Sequence, residues 1–324
     1  MSSLPTLPHV PSTASFVAEA RQNFIKETAF PTPRSKSDLL TSIRSFAFQF
    51  IKEAAHRPPR EHELSRQGLE VLWHMFTDLA KTSDPDDAFQ DKLVSLLLWT
   101  REFDGLYKRL QGIEGADNGW ESYGFGRVLQ ASCEQVVATG PLEEKCRLAS
   151  FSSKVLSAGA CRDSLGQTAL WLLREALATT DEERTSSLLP AAIIWLENAR
   201  HSLFVFSAIN GSYEDSPQAT AGHSSPGALA QVAGVEDHGL ALERWLFWRR
   251  RLQQLSRSSD TDLAKQAKKG FMSMIFCGRD LGFEVEGEAK FSERLQKAMH
   301  EELMRSGKNS VDGDEIEIDV DWAN

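Results

Sequence analysis

Before its C-terminal tail the chain has no strand-length run of alternating or β-branched residues. That excludes a βαβ unit, and with it the glycine fingerprint of dinucleotide-binding folds and the phosphate-binding loop. Cysteine is scarce. The four residues Cys133, Cys146, Cys161 and Cys277 form no CxxC and have no metal-ligand spacing, so neither a disulfide framework nor a zinc module is expected. The longest apolar runs, residues 93–99 (LVSLLLW) and 188–196 (LLPAAIIWL), fall well short of the roughly 20 residues that a membrane span needs. The start, MSSLPTLPHVPS, has neither the basic residues nor the apolar stretch of a secretory signal. Dense basic stretches are missing too: Arg249–Arg251 is three residues long and set in a helical pattern, unlike the footprint of a nucleic-acid binder. These absences lead us to expect a cytoplasmic protein (the nucleus stays open) with reduced thiols. They suggest no metal, no cofactor, and neither a nucleic-acid nor a membrane partner.

What the chain does have is helical periodicity and tryptophan. Apolar residues make up 41% and charged residues 25% of 324 positions, the balance of a soluble globular protein with a sizeable core. Eight tryptophans point to bulky packing between helices. Residues 1–12, rich in Pro and Ser, are expected to be mobile. A helix is then expected over 13–29, broken at Pro31 and Pro33, and a second one opens at Ser37-Asp38. Further helices are expected over 60–81, from the Ser83-Asp84-Pro85 start signal to about Leu110, and over 120–139, 142–158 and 163–179. Asp181–Glu183 reads as a polar turn. Residues 188–209, apolar around most of the circumference, read as a central buried helix with Pro190 in its first turn. Residues 210–238 have loop composition, with a short helical turn expected within ALAQVAGVEDHG. Helices near 239–255, 260–279 (start residue Asp260) and 290–306 (start residue Glu288 or Ser292) complete an all-α architecture. The expectation is a bundle or array of about ten to eleven helices with no sheet, as a single domain over 13–308.

The segment GLALERWLFWRRRLQQL (239–255) is the most informative. At 100° per residue, Leu242, Trp245, Leu246, Trp248, Leu252 and Leu255 share one face, and Arg249 falls in the middle of it. Arg244, Arg250 and Arg251 fall elsewhere and can meet water. A guanidinium on an apolar face needs an acid and further acceptors. The usual solution is an internal ion pair; the functional alternative is a ligand carboxylate or phosphate held bidentately. Asn198 and His201 on the central helix join Arg249 and Trp245 as candidate pocket residues, with the 210–238 loop as a potential lid. Glu197 and His201 make a bare ExxxH, without the HExxH of a zinc site.

Three segments together, QDKLVSLLLW (90–99), AAIIWLENARHSLF (191–204) and ERWLFWRRRLQQLS (243–256), resemble a family of filamentous-fungal proteins that carries domain of unknown function 3632. The resemblance spans roughly residues 60–285. It implies an all-helical fold and a fungal source. It implies no activity and supplies no functional residues.

The tail, 309–324, is the second distinctive feature. Six acids between Asp312 and Asp321 account for most of the net charge of −10. Acid and apolar residues alternate there, so that as a strand Ile316, Ile318, Val320 and Trp322 would share one face. The body offers no sheet, so the tail reads either as a free solubilising segment or as a strand added to a partner's sheet, similar to motifs that bind small ubiquitin-like modifiers. Two functions follow. The first is a non-catalytic interaction or scaffold protein that uses the tail. The second is a helical small-molecule-binding protein or enzyme with a pocket near Arg249 and Asn198. No catalytic residue stands out, and the sequence leaves the oligomeric state open.

Overall fold

Caps and prolines set where the helices begin. The structure, a computed structural model, describes residues 33–56, 62–112, 124–209, 224–236 and 239–311, with positions 19, 22, 23, 26, 316 and 319. The expected mobile N-terminus, most of the expected 13–29 helix and most of the 210–238 loop lie outside these residues; Glu19, Gln22, Asn23 and Lys26 are helical. Every regular element among the described residues is a helix, and there is no sheet. None of these helices is long and apolar enough to cross a membrane. The chain divides into two compact units, residues 1–155 and 156–324.

In the first unit, α1 (Pro33–His56) starts at a proline expected to be a breaker. Proline is well placed there, because the first helical position has no intrahelical use for an N–H. Ser37 and Asp38 therefore lie inside α1, and their carbonyls accept from Thr41 and Ser42 hydroxyls at 3.0 Å. The next helices are α2 (His62–Lys81) and α3 (Ala88–Leu110). Asp87 caps α3 by accepting from the Phe89 amide at 2.8 Å. Ser83-Asp84-Pro85 is a turn before it, where Asp84 pairs with Arg147 at 2.7 Å. After α4 (Phe125–Thr139), α5 (Leu142–Ser157) carries Arg147. Helix α1 packs on α2 and α3, and α2 packs on α4. Trp73 and Phe125, both fully buried, meet edge to face with centroids 5.3 Å apart at the core.

The second unit holds α6 (Arg162–Leu177), α7 (Glu182–Ala208), α8 (Ala228–Val232), α9 (Leu242–Leu255), α10 (Thr261–Ile275), α11 (Cys277–Asp280) and α12 (Glu288–Ser306). Helix α7 is the axis, with α6, α9, α10 and α11 packed around it. It starts earlier than the apolar pattern suggests. Asp181 accepts from the Arg184 amide at 3.0 Å, and Glu182 and Glu183 occupy the first turn, where acids favour the helix dipole. Pro190 is thus inside the helix rather than in its first turn. Burial of Leu188, Leu189, Ala191, Ala192 and Trp195 around it offsets the backbone bond it removes. Close packing between α7 and α10 depends on Gly270, where a Cβ would sit 2.3 Å from Ile193 Cδ1.

Candidate functional site

Helix α9 puts its charges where its apolar residues also point. Trp245, Trp248 and Leu252 are fully buried and Phe247 nearly so, whereas Leu242 is exposed and Leu246 half-buried. The buried surface wraps further round the helix than one face, so Arg244, expected to reach water, is completely enclosed. Its guanidinium donates to the backbone carbonyls of Ser224 (2.7 Å), Gly239 (2.8 Å) and Ser225. Burial, together with nearby Arg174, holds its pKa down at about 10. Arg244 is a clamp on the chain that leads into α9.

Arg249 took the internal route. Its Nη1 lies 3.6 Å from Glu288 Oε1, and its Nη2 donates to the Glu286 carbonyl at 2.8 Å. Both side chains are buried. The pair is loose: Arg249 Nη1 and both Glu288 carboxylate oxygens lack hydrogen-bond partners. Burial pushes the Glu288 carboxyl up to about 7, against the opposing pull of Arg249 and of Arg279, whose backbone N–H faces it without reaching hydrogen-bond geometry. Asp280 adds a smaller upward push. The Arg249 guanidinium is lowered, first by its own burial.

Glu288 is also where the unit opens. The connection from α10 to α12 runs through α11 and a turn closed by the Phe283 amide on the Gly278 carbonyl at 2.8 Å. It leaves a cleft of about 520 Å³ lined by Phe276, Arg279, Phe283–Glu286, Glu288 and Ala289, within the usual range for small-molecule sites. Gly278 supports its floor: a Cβ there would meet Val285 Cγ2 at 2.3 Å and Glu288 Oε2 at 3.0 Å. Aromatic contacts tie the walls to the core. Phe283 meets Phe204 edge to face (5.7 Å), Phe204 meets Trp245 (5.5 Å), and Phe276 leans on Phe291 (6.1 Å). The Arg279 guanidinium lies 4.6 Å from the Phe276 ring centroid and donates to Ser292 Oγ at 2.9 Å, so it serves as part of the wall.

Of the candidate pocket residues, Arg249 therefore stands directly behind this cleft, against Glu288, and Trp245 lies one aromatic contact further back, behind Phe204. Asn198 is half-buried on α7 and outside the cleft lining. His201 is exposed and lies 3.3 Å from Asp280, while Glu197 pairs with Lys269 at 2.8 Å. The two ends of the ExxxH thus have separate partners, and no metal-holding cluster occurs among the described residues. In the tail, Ile316 is buried at 8% exposure and its carbonyl accepts from Lys268 at 3.5 Å; at this residue the tail lies against the body rather than free of it. Ile318, Val320 and Trp322 lie outside the described residues. The cleft itself escaped the sequence reading, in which Glu288 is only a helix start. The available signal is the run of glycines Gly278, Gly282 and Gly287 that ends directly before Glu288.

A curated relative, the oxopyrrolidines biosynthesis cluster protein G of the fungus Penicillium oxalicum, is 24% identical over 211 residues. The alignment covers 57% of this chain and 58% of the relative, so the chain spans little more than half the relative's length. No solved structure matches the chain significantly. A family model described as Protein of unknown function (DUF3632) matches residues 73–252, a stretch that includes Arg249 and ends before the cleft-lining turn. More than half of the chain being matched in this way, it belongs to the DUF3632 family.

Proposed function

We propose that this chain is a non-catalytic binding protein of small-molecule biosynthesis that holds a small, largely apolar compound in the cleft between α10 and α12. The observation that carries this is the cleft itself, with apolar walls from Phe276, Phe283, Val285 and Ala289 and one buried carboxylate in its lining. That is the composition of a ligand site: mostly apolar surface with a few fixed polar groups. The name of the Penicillium relative supports a place beside enzymes that make a small compound. Catalysis by a cysteine nucleophile has no support. Cys133 and Cys277 are pushed up to about 12 and Cys146 to about 11 by burial, which makes poor nucleophiles. A scaffold that works through its acidic tail has less support, because Ile316 is buried rather than offered to a partner.

The test is a titration with the neutral fluorophore N-phenyl-1-naphthylamine. Saturable enhancement is expected in the wild-type chain and should disappear in Ala289→Trp, which fills the cleft from α12. Enhancement that is absent, or unaffected by Ala289→Trp, removes the proposal.

A further inference from the structure

Resting on the cleft being a ligand site, we propose that its ligand carries a protonated amine on an apolar body, with Glu288 as the carboxylate that receives the ammonium. Three of the residues lining the cleft are acids, Glu284, Glu286 and Glu288, against one guanidinium, Arg279. Arg279 is already committed: it lies 4.6 Å from the centroid of the Phe276 ring and donates to Ser292 Oγ at 2.9 Å. Arg249 stands behind Glu288 at 3.6 Å, outside the lining. Even with Arg249 counted, the acids outnumber the guanidiniums by three to two, so an anion is repelled from the cleft and a cation is drawn to it.

Glu284 and Glu286 are exposed, as acids usually are. Glu288 differs: it is 4% exposed, and neither of its carboxylate oxygens accepts a hydrogen bond. Its Oε2 lies at the floor of the cleft, 3.0 Å from the place a Cβ would take on Gly278. A buried acceptor left unmade is costly, and a donor that reaches it recovers that cost. An ammonium has three N–H donors and no acceptor, whereas a hydroxyl offers one donor and no charge. The ammonium also favours the charged carboxylate, against the burial that pushes this carboxyl up to about 7. Contact takes a turn of the Glu288 side chain. Glu288 is the first residue of α12, so no preceding helical turn restricts its rotamers. Phe283, 48% exposed, lines the same cleft, and an ammonium is attracted to an aromatic face. Val285 and Ala289 would cover the apolar body.

The experiment is calorimetric titration of the full chain at about pH 8, above the Glu288 value of about 7, with three compounds of matched shape: 4-phenylbutylamine, 4-phenylbutan-1-ol and 5-phenylpentanoate. The amine is expected to bind about tenfold or more tightly than the alcohol, because hydrogen bonds to charged groups are the stronger ones. The carboxylate should bind least. Glu288→Gln, which keeps the shape and removes the charge, should keep N-phenyl-1-naphthylamine and lose the preference for the amine. Glu284→Gln plus Glu286→Gln should retain that preference, since charges exposed to water are screened. The amine assignment is wrong, and the cleft stands, if the fluorophore binds but the amine is not preferred or the carboxylate binds best. It is equally wrong if the preference survives in Glu288→Gln or disappears in Glu284→Gln plus Glu286→Gln. If the fluorophore does not bind the wild-type chain, the cleft reading falls and this inference falls with it.

Discussion

Replacing Arg244 by Met tests whether a buried cation without a carboxylate partner holds the second unit together. The three carbonyls it binds belong to Ser224, Ser225 and Gly239, so one side chain fastens the start and the end of the segment leading into α9. Hydrogen bonds to a charged group are worth roughly 1.5–3 kcal/mol each. Against this, lowering the guanidinium from 12.5 to about 10 reflects a burial cost of about 3 kcal/mol that Met would not carry. The Ser224 and Ser225 bonds are only part-buried and those carbonyls can regain water, whereas the Gly239 bond is buried. The balance is a loss on the order of 2–4 kcal/mol, read as a lower urea midpoint at pH 7 with unchanged slope. Hydrogen exchange should rise first over residues 224–240. Arg244→Lys should lose at least as much, since one ammonium cannot reach three carbonyls held in a fork. A Met variant within about 0.5 kcal/mol of wild type, with unchanged exchange in that segment, would refute the clamp.

Glu288 gives a pH signature. Its folded pKa of about 7 lies above the ordinary 4.5, so the folded state binds the proton more tightly. Its contribution is therefore fully present below about pH 4.5 and is lost as pH rises to about 7, by at most roughly 3 kcal/mol. The stability difference between wild type and Glu288→Gln should change sign-consistently over that window, and a difference independent of pH there contradicts the burial argument. Gly270→Ala should cost about 1–3 kcal/mol through the clash with Ile193 Cδ1. Adding Ile193→Val, which removes that atom, should restore part of it, and thermal melts of the two variants decide. Ile316→Ala should cost about 1–2 kcal/mol, and removal of residues 310–324 should cost about the same; no change in either would mean that Ile316 contributes nothing by its burial.

The helical class was readable because period and punctuation agree along the chain. Asp260, read as a helix start, accepts from the Asp262 and Leu263 amides at 3.0 and 3.2 Å. Errors came where one residue type serves two purposes. Pro33 reads as a breaker and acts as a first-turn residue; Asp181–Glu183 reads as a turn and acts as a cap and first turn. Arg249 was legible as a buried cation from its place on the wheel. Arg244 was not, since its acceptors are backbone carbonyls and carbonyls leave no mark in a sequence. The cleft was hidden for the same reason: its turn is set by main-chain bonds such as that from the Phe283 amide to the Gly278 carbonyl, and Glu288 meets Arg249 across 39 positions of chain.

The contrast between the two arginines of α9 leads to one more test. Arg244 has three good acceptors, so its removal should hurt. Arg249 has one carbonyl and a carboxylate 3.6 Å away, with neither carboxylate oxygen hydrogen-bonded. For such a pair the cost of taking two charges from water exceeds the attraction regained, and apolar replacements of similar volume are neutral or stabilising by about 1–4 kcal/mol. The double variant Arg249→Met plus Glu288→Met should therefore unfold at the same or higher urea concentration than wild type. Arg249→Met alone should cost less than is usual for a broken buried pair, because a carboxyl already near pH 7 can take up a proton instead of remaining charged. A fold that would be no weaker without this pair is not using it for stability. Greater stability together with weakened binding of N-phenyl-1-naphthylamine would locate its use in the cleft. A double variant clearly less stable than wild type would make the pair structural, and the cleft would then have to recognise its ligand by its apolar walls alone.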